Sequence, residues 1–387
     1  MRILSRSPKP SGIEGAAWKN FEHSGDMGIW GKRGDMIVHQ AEPYNAEPPP
    51  GALVDLVTPL DTFYGRNHAP IPRVDGASWR LRVDGTVDRP LELSLDELRR
   101  RFPERKVLAT LQCAGNRRAD LMEFRDIPGQ VPWGPGAIST AWWTGVSLAD
   151  VLTEAGLQAE AAHIAFTGAD VSQDTDPPQP FGASIPVAKA TSSEVLLAWA
   201  MNDQALPVAH GAPLRAVVPG YIGARSVKWL QRITAQTEPS DNYFQWEYSL
   251  LPPEAGPDEA GPGDGITLGP VVIHIAILRP GKGAQLRSGP TEVTGVAFAG
   301  DDRTVKRVDV SADGGTTWVH ADLNAPDNPW TWQHWRATLT LPAGETEVLA
   351  RAWDSAAAVQ PESPATVWNP KGYANNAWGR LHLTCDR

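Results

Sequence analysis

The sequence predicts an α+β protein in which a mixed α/β domain is followed by an antiparallel β-sandwich. Glycine and proline are abundant, with 36 and 35 of 387 residues, and this indicates many turns and more sheet than helix. Short helical and strand patterns alternate over 79–250, whereas beyond residue 269 hydrophobic residues recur at every second position. Proline and glycine cluster over 251–268, which predicts a linker.

The elements of the first part follow from local signals. Residues 1–78 are irregular, and they predict an N-terminal arm packed on the core. Period-two alternation predicts a strand beginning at Trp79. Ser94 followed by Glu97 predicts a capped helix, and Ser147 opens a short helix that stops at Gly156. Further strands are predicted at 106–112 and 214–219.

The second part shows strand periodicity throughout. The turn at 313–315, Asp-Gly-Gly, joins two strands as a tight hairpin. Several short strands separated by turn signals indicate an immunoglobulin-like antiparallel sandwich over 269–387. The predicted strands cover 292–299, 305–312, 317–323, 335–341 and 347–354.

Composition and charge exclude several classes of function. With 35 Lys+Arg against 45 Asp+Glu, the net charge is −10, which argues against a nucleic-acid partner. Two cysteines, Cys113 and Cys385, cannot build a disulfide framework or an iron–sulfur cluster. The most apolar stretch, 271–278, is far shorter than the roughly 18 residues of a spanning helix. We expect no membrane partner and a cytoplasmic location, unless an export signal has been removed.

Cys113 lies in the sharpest local motif, where an apolar strand runs into a glycine turn followed by two arginines at 111–118. Neighbouring guanidinium groups favour the thiolate, which is both a nucleophile and a ligand for soft metals. A buried structural cysteine is the common alternative. A nucleophile would need a base such as His68, His163 or His210, and spacing does not place any of them beside it. From the residues alone, these interpretations stay open.

A second motif combines cations, a histidine and a hydroxyl with glycines over 210–230. Glycine lets a ligand approach the backbone closely, and fixed cations with hydroxyl donors suit a phosphate. A solvated basic strand edge is the alternative interpretation. The sequence has no P-loop and no strand–GxGxxG–helix pattern.

Taken in order, these segments and several others resemble the sulfite oxidase family of molybdenum-cofactor oxidoreductases, of the haem-free type. The similarity extends over nearly the whole chain, and so many segments in one order make chance a negligible explanation. The matching segments are 66–68, 111–118, 136–140, 181–186, 210–230, 307–318, 359–361 and 368–372.

The resemblance implies a sulfite-oxidase-type molybdopterin-binding catalytic domain at 79–250. It also implies that 269–387 is a dimerisation domain, and hence a homodimer. The molybdenum would be held by the thiolate of Cys113, a pterin dithiolene and oxo ligands. The residues implied to bind the pterin and its phosphate are Arg66, His68, Asp170, His210, Arg215, Ser226 and Lys228.

The resemblance further implies a substrate pocket for a small oxyanion. Converging cations bind such anions through charge-assisted hydrogen bonds. Two departures from the family pattern alter this pocket: Lys371 stands where arginine is usual, and 141–143 reads Ala-Trp-Trp where Ala-Arg-Trp is usual. Both leave the substrate in question. The implied pocket residues are Arg66, Arg118, Trp133, Tyr248 and Lys371, of which Arg66, Arg118 and Tyr248 take part in catalysis.

The implied reaction is oxidation of sulfite to sulfate by oxygen-atom transfer at the cysteine-ligated molybdenum–pterin centre. We expect no haem and no flavin in the chain, so electrons would pass to oxygen or to a separate carrier. One alternative is a nitrate reductase-type molybdenum enzyme, which shares these motifs. Another is a redox-inactive molybdopterin-binding protein.

Overall fold

The computed structural model describes residues 28–256 and 261–387, and its many strands and few short helices confirm the predicted α+β class. Residues 1–27 of the predicted arm and 257–260 of the predicted linker lie outside these ranges. Within the described ranges, no helix is long and apolar enough to cross a membrane.

The elements of the N-terminal part, residues 28–256, are given in chain order. They are β1 Ile37–Gln40, β2 Asn45–Glu47, β3 Leu81–Gly85, β4 Leu91–Leu93, α1 Leu95–Arg101, β5 Glu104–Gln112, α2 Arg118–Phe124, β6 Ile138–Ser147, α3 Leu148–Ala155, β7 His163–Ser172, β8 Gln179–Pro186, α4 Val187–Ala190, β9 Leu196–Met201, β10 Gln204–Ala205, β11 Arg215–Val217, β12 Leu230–Gln236, α5 Tyr243–Glu247 and β13 Ser249–Leu250. Single 3-10 turns lie at Ile29–Gly31, Pro50–Ala52, Val208–His210 and Gly223–Arg225.

The elements of the C-terminal part, residues 261–387, are almost all strands. They are β14 Ile266–Thr267, β15 His274–Arg279, β16 Gln285–Arg287, β17 Gly289–Phe298, β18 Val305–Ser311, β19 Val319–His320, β20 Asp322–Leu323, β21 Gln333–Leu341, β22 Gly344–Asp354, α6 Pro364–Val367 and β23 Gly379–Asp386. The predicted antiparallel pairing around 313–315 is confirmed, because β18 and β19 pair on either side of it, but residues 312–318 join them, so the connection is longer than the predicted tight hairpin.

Two five-stranded sheets form most of the N-terminal part, which also contains the antiparallel pair of β1 and β2. One has the order β10-β9-β6-β5 with β11 also paired to β9, and its pairings are antiparallel. The other has the order β4-β3-β12-β7-β8, in which β3 and β12 run parallel. Their buried apolar faces share one large core, which continues into the C-terminal part through residues such as Phe298 and Trp332.

Two further sheets pack face to face in the C-terminal part. Their orders are β15-β17-β21-β20 and β16-β23-β22-β18-β19, and alternate residues of both contribute to one apolar core. The pairings are antiparallel apart from the parallel pair β16–β23. The short strands β13 and β14 pair across the predicted linker.

The helix signals of the sequence correspond to observed caps. The Ser94 Oγ accepts from the backbone of Glu97 at 3.2 Å, and the Glu97 carboxylate accepts from the backbone of Ser94 at 2.8 Å, which is a complete capping box. Helix α3 ends at Gly156 with φ 71°, and an added Cβ there would lie 2.7 Å from the Asp88 carboxylate. Only glycine fits this stop. Ser147 precedes α3 but its side chain makes no cap hydrogen bond.

The C-terminal part holds strand β5 in place from one side. The backbone of Thr110 donates to Trp330 at 2.8 Å, and the backbone of Trp332 donates to the Thr110 hydroxyl at 2.9 Å. On its other edge β5 pairs with β6 as far as Gln112 opposite Ile138. The end of β5 is therefore fixed, and the next residue in the chain is Cys113.

Candidate active site

One cavity in the N-terminal part brings together nine of the twelve predicted site residues. It lies beyond the end of β5 and is also lined by segments 63–68 and 223–228. Its walls are aromatic and cationic, and they include Phe63, Tyr64 and Phe181. The predicted residues on its wall are Arg66, His68, Cys113, Asp170, His210, Arg215, Ser226, Lys228 and Tyr248.

Cys113 is buried at the cavity wall by the geometry of the strand end. Its backbone donates to Ala137 at 2.9 Å, and its carbonyl accepts from Asn116 at 3.0 Å in the following turn. The second cysteine of the chain, Cys385, packs in the C-terminal apolar core. A thiolate can therefore reach a group in the cavity only from Cys113.

Two buried cations line the same cavity, and neither has a hydrogen bond to a carboxylate of the described residues. Arg215 donates to the carbonyls of His210 and Ser226 at 3.0 Å each, and burial lowers its pKa to about 10. Lys228 donates to the carbonyl of Arg66 at 3.1 Å and to the Asn67 side chain. Burial, followed by the charge of Arg215, lowers the pKa of Lys228 well below its usual value. Such a site favours an anion, because an anion would compensate the desolvated positive charge.

One buried polar atom at the same wall, the Oδ1 of Asp170, lacks a partner among the described residues. The Gln112 Oε1, at the end of β5 and outside the cavity wall, is likewise buried without a donor among the described residues. Burial raises the pKa of Asp170 to about 6, and the charge of Lys228 opposes this shift. Unpaired buried acceptors are costly unless a ligand supplies donors. A pterin with amino and ring N–H donors, ending in a phosphate, would satisfy the Asp170 acceptor and the cations, so the residues of the cavity wall fit a molybdopterin.

Tyr248 and His68 form a hydrogen-bonded pair at the cavity. The phenol oxygen contacts the His68 Nε2, and the imidazole stacks on Phe181 with ring centroids 4.5 Å apart. Burial raises the pKa of Tyr248 to about 12, against the lowering effect of Arg66. Burial, then Arg66 and Lys228, lowers the pKa of His68 well below 6.5. Both groups are therefore neutral near pH 7, and the phenol keeps its proton.

Three predicted pocket residues lie outside the cavity wall. Arg118 is buried and donates to the carbonyls of Lys371 at 3.0 Å and Val131 at 2.9 Å. Trp133 is fully buried in the apolar cluster that also contains Cys113, and its indole N–H has no partner in the described residues. The Lys371 ammonium is paired with Glu247. Their role in substrate binding stays a prediction.

The motif predicts that both of its arginines flank the thiol, and for Arg117 this prediction is wrong. Its guanidinium turns away and donates to the carbonyls of Ile275 and Ala377 at 2.9 Å and of Trp378 at 2.8 Å, all in the C-terminal part. The backbone φ of 61° at Arg117 directs the side chain there. Arg117 is therefore a contact between the two parts of the molecule.

Sequence reasoning missed several residues of the cavity wall and one behind it. Tyr64 and Phe181 line the cavity, and Asn67 accepts from Lys228. All three lie within or beside segments that carry the family resemblance, and those segments could have indicated them as residues of the cavity. Lys32, which contacts His210, lies in the irregular arm, and no sequence pattern indicates it.

Comparison with known proteins identifies both parts of the chain. A family model described as oxidoreductase molybdopterin binding domain matches residues 68–244, and one described as Mo-co oxidoreductase dimerisation domain matches 270–385. The chain thus carries a binding domain for the molybdenum cofactor and a dimerisation domain. The first match begins before the predicted boundary at residue 79 and includes His68.

Individual relatives give the same family. Chicken sulfite oxidase is 44% identical over 89% of this chain and 77% of its own length, and the Arabidopsis thaliana enzyme is 39% identical over 90% and 93%. Barley nitrate reductase is 34% identical over 92% of this chain and 43% of its own length. The crystal structure of the sulfane dehydrogenase SoxCD from Paracoccus pantotrophus superposes with a TM-score of 0.77 at 26% identity, covering 98% of this chain and 97% of that one. The predicted sulfite-oxidase-type architecture is confirmed, and the chain belongs to the sulfite oxidase family of molybdopterin oxidoreductases.

Proposed function

We propose that this protein oxidises sulfite to sulfate with a molybdenum cofactor bound in the cavity. The observation that carries the proposal is the position of Cys113, a thiol fixed at the wall of a cavity that is also lined by buried cations and by the unpaired Asp170 carboxylate oxygen. Relatives with 37–44% identity are sulfite oxidases, whereas the nitrate reductase relative is more distant, at 34%. The net reaction converts sulfite and water into sulfate, two protons and two electrons.

The residues that would hold the cofactor divide by chemistry. Cys113 supplies the soft thiolate ligand for the metal. A phosphate would bind to the cations of Arg215 and Lys228 and to the chain around Ser226. Asp170 would accept hydrogen bonds from ring or amino N–H groups of the pterin. When bound, the molybdenum centre supplies the transferred oxygen atom and takes up two electrons.

The chain's own residues would bind and orient the substrate. Arg66 lies on the cavity wall, and its Nη1 donates to the Asn45 side chain at 3.4 Å, which leaves other guanidinium donors available to an oxyanion. When the Nε2–H of neutral His68 donates to the phenol oxygen, the proton of Tyr248, which is neutral at pH 7, is left to donate to a negatively charged oxygen in the cavity. A cationic pocket in a protein of net charge −10 would capture the anion by its local field.

The proposal extends to assembly and electron transfer. We infer a homodimer, supported by the match of 270–385 to a dimerisation domain. We infer further that the electrons pass to oxygen or to a separate carrier protein. No haem or flavin is required for the oxidation of sulfite itself at this cavity.

The test is a pair of steady-state assays on the molybdenum-loaded protein. One assay offers sulfite with ferricyanide as electron acceptor, and the other offers nitrate with reduced viologen as donor. Turnover in the first assay alone supports the proposal. Turnover in the second alone would assign nitrate reduction instead, and a loaded protein inactive in both assays would be a cofactor-binding protein without redox function.

A further inference from the structure

Lys32 is a buried lysine behind the cavity wall, outside every motif of the sequence and outside both family-model matches. Only 2% of the surface of this residue is exposed to solvent. The ammonium lies 2.6 Å from the Leu60 carbonyl, 2.7 Å from the Phe63 carbonyl and 2.7 Å from the Nε2 of His210. An ammonium has three protons and no lone pair, so these three acceptors saturate it.

The contact with His210 fixes the arrangement of protons on the imidazole. If the ammonium donates to Nε2, that nitrogen carries no proton, and the neutral ring must carry its proton on Nδ1. His210 lies on the cavity wall, and within the described part of the chain its Nδ1 has no hydrogen-bond partner. The free N–H is therefore available to a group in the cavity.

Burial, and then the charges around the pair, keep the imidazole neutral. The groups that face it are Asp61 on the side of Lys32, and Arg215 and Lys228 on the side of His210. Burial and then the charges of Lys32, Arg215 and Lys228 lower the pKa of His210 well below 6.5. Burial lowers the pKa of Lys32 to about 7, and Asp61 opposes this, so the ammonium form predominates at pH 6.

We propose that Lys32 is a positioning residue that holds His210 as the neutral Nδ1–H tautomer, so that His210 presents a hydrogen-bond donor to an oxygen or nitrogen acceptor of the bound cofactor. The identity of that acceptor group rests on the proposed function. The tautomer itself does not, because it follows from the contacts of Lys32 together with the ammonium form of Lys32 at pH 6. A neutral lysine that accepted from Nε2–H would reverse the tautomer and give the cavity an acceptor.

The tautomer is measured directly by ¹⁵N NMR of histidine-labelled protein at pH 6, with the His210 signals assigned by His210→Gln. In the wild-type protein we expect a protonated Nδ1 and an unprotonated Nε2. A protonated Nε2, or a doubly protonated ring, overturns the proposal. This experiment needs no turnover, so failure of sulfite oxidation leaves the result interpretable.

The variant Lys32→Met tests whether the lysine causes the tautomer. We expect mixed tautomers at His210 and a loss of molybdenum during dialysis that is faster by about three- to tenfold, the effect of one weakened hydrogen bond. The matched control is Lys189→Met, because Lys189 is also buried but pairs with Glu194 at 2.5 Å away from the cavity. It should leave the His210 signals unchanged. Identical His210 signals in Lys32→Met and wild type overturn the proposal, and if Lys32→Met does not fold, the wild-type spectrum still decides.

Discussion

The ammonium of Lys371 donates to the Glu247 carboxylate at 2.6 Å, and only 3% of the lysine side chain and 16% of the glutamate side chain are exposed. The same carboxylate accepts from Tyr243 at 3.1 Å and from Tyr373 at 3.4 Å. The cation that stands where the family usually has arginine is thus neutralised by a partly buried carboxylate. Lys371 therefore adds little net positive charge to the substrate pocket.

Lys371→Met should destabilise the protein more than it weakens substrate binding. Removing one partner of a buried ion pair leaves the other charge uncompensated, so we expect the free energy of unfolding to fall by about 3 kcal/mol. The KM for sulfite should change less than about threefold. Urea unfolding and steady-state kinetics measure the two effects.

The control for this variant is Lys106→Met, which breaks the exposed ion pair of Lys106 with Asp203 at 2.6 Å. An exposed pair contributes at most about 1 kcal/mol, so little change in stability is expected. A large rise in KM for Lys371→Met without loss of stability would instead show that Lys371 contacts the substrate, as the family resemblance implies.

Arg117→Leu should weaken the contact between the N-terminal and C-terminal parts. The guanidinium satisfies three carbonyls of the C-terminal part, and its loss leaves them without that donor. Each unsatisfied buried group costs about 1–3 kcal/mol, so we expect a loss of about 3 kcal/mol or more in the free energy of unfolding. Urea unfolding measures the loss, and cleavage within 251–268 during limited proteolysis should become faster.

Lys282→Met is the matched control, because Lys282 also bridges the two parts, to Glu123 at 3.6 Å, but at the surface. We expect a change below about 1 kcal/mol. Equal losses in the two variants would mean that Arg117 acts through something other than its buried carbonyl partners.

Much of the fold could be predicted because its signals are local. The capping box at Ser94 and the glycine stop at Gly156 depend on residues a few positions apart, and the turn signal at 313–315 lies between the two strands that it joins. Period-two alternation likewise indicates strands wherever one sheet face is buried. Pairing order is different, because the parallel contact of β3 with β12 joins segments about 150 residues apart, and nothing in either strand specifies its partner.

The candidate site likewise contains residues that contiguous sequence indicates and residues whose partners only the fold brings close. Cys113 could be singled out because its strand, turn and arginines are contiguous, but the direction of Arg117 depends on a left-handed backbone angle and on carbonyls more than 150 residues away. The pairing of Lys371 with Glu247 and of Lys32 with His210 also joins distant segments. A sequence shows which charges exist, whereas only the fold shows which of them neutralise each other.

Asp313→Asn should destabilise the protein in a pH-dependent way. The Asp313 carboxylate accepts from the Thr317 hydroxyl at 2.6 Å, the Thr317 backbone at 2.9 Å and the Ser311 hydroxyl at 2.7 Å, and these bonds lower its pKa to about 2. A carboxyl with a lowered pKa stabilises the fold above its unfolded pKa of about 4. The melting temperature of the variant should therefore lie below that of wild type at pH 7, and the gap should narrow as pH falls from 4 towards 2.

Thr317→Val provides the companion measurement for this turn, since it removes the hydroxyl donor but keeps the carboxylate. We expect a smaller gap in melting temperature than for Asp313→Asn, with the same direction of pH dependence. A gap that stays constant between pH 7 and pH 3 would show that the carboxylate charge does not stabilise the turn.

Cys113→Ser should give a folded protein that does not oxidise sulfite. Serine fills nearly the same volume at the end of β5, and the backbone bonds of residue 113 to Ala137 and Asn116 do not involve the side chain, so the melting temperature should stay close to that of wild type. The hydroxyl is a poor substitute for a soft thiolate ligand, so turnover with sulfite should fall by roughly 100-fold or more. Cys385→Ser is the matched control, because Cys385 is equally buried but packs in the C-terminal core, and it should keep full turnover. Sulfite oxidation by Cys113→Ser at the wild-type rate would refute the assignment of Cys113 as the metal ligand.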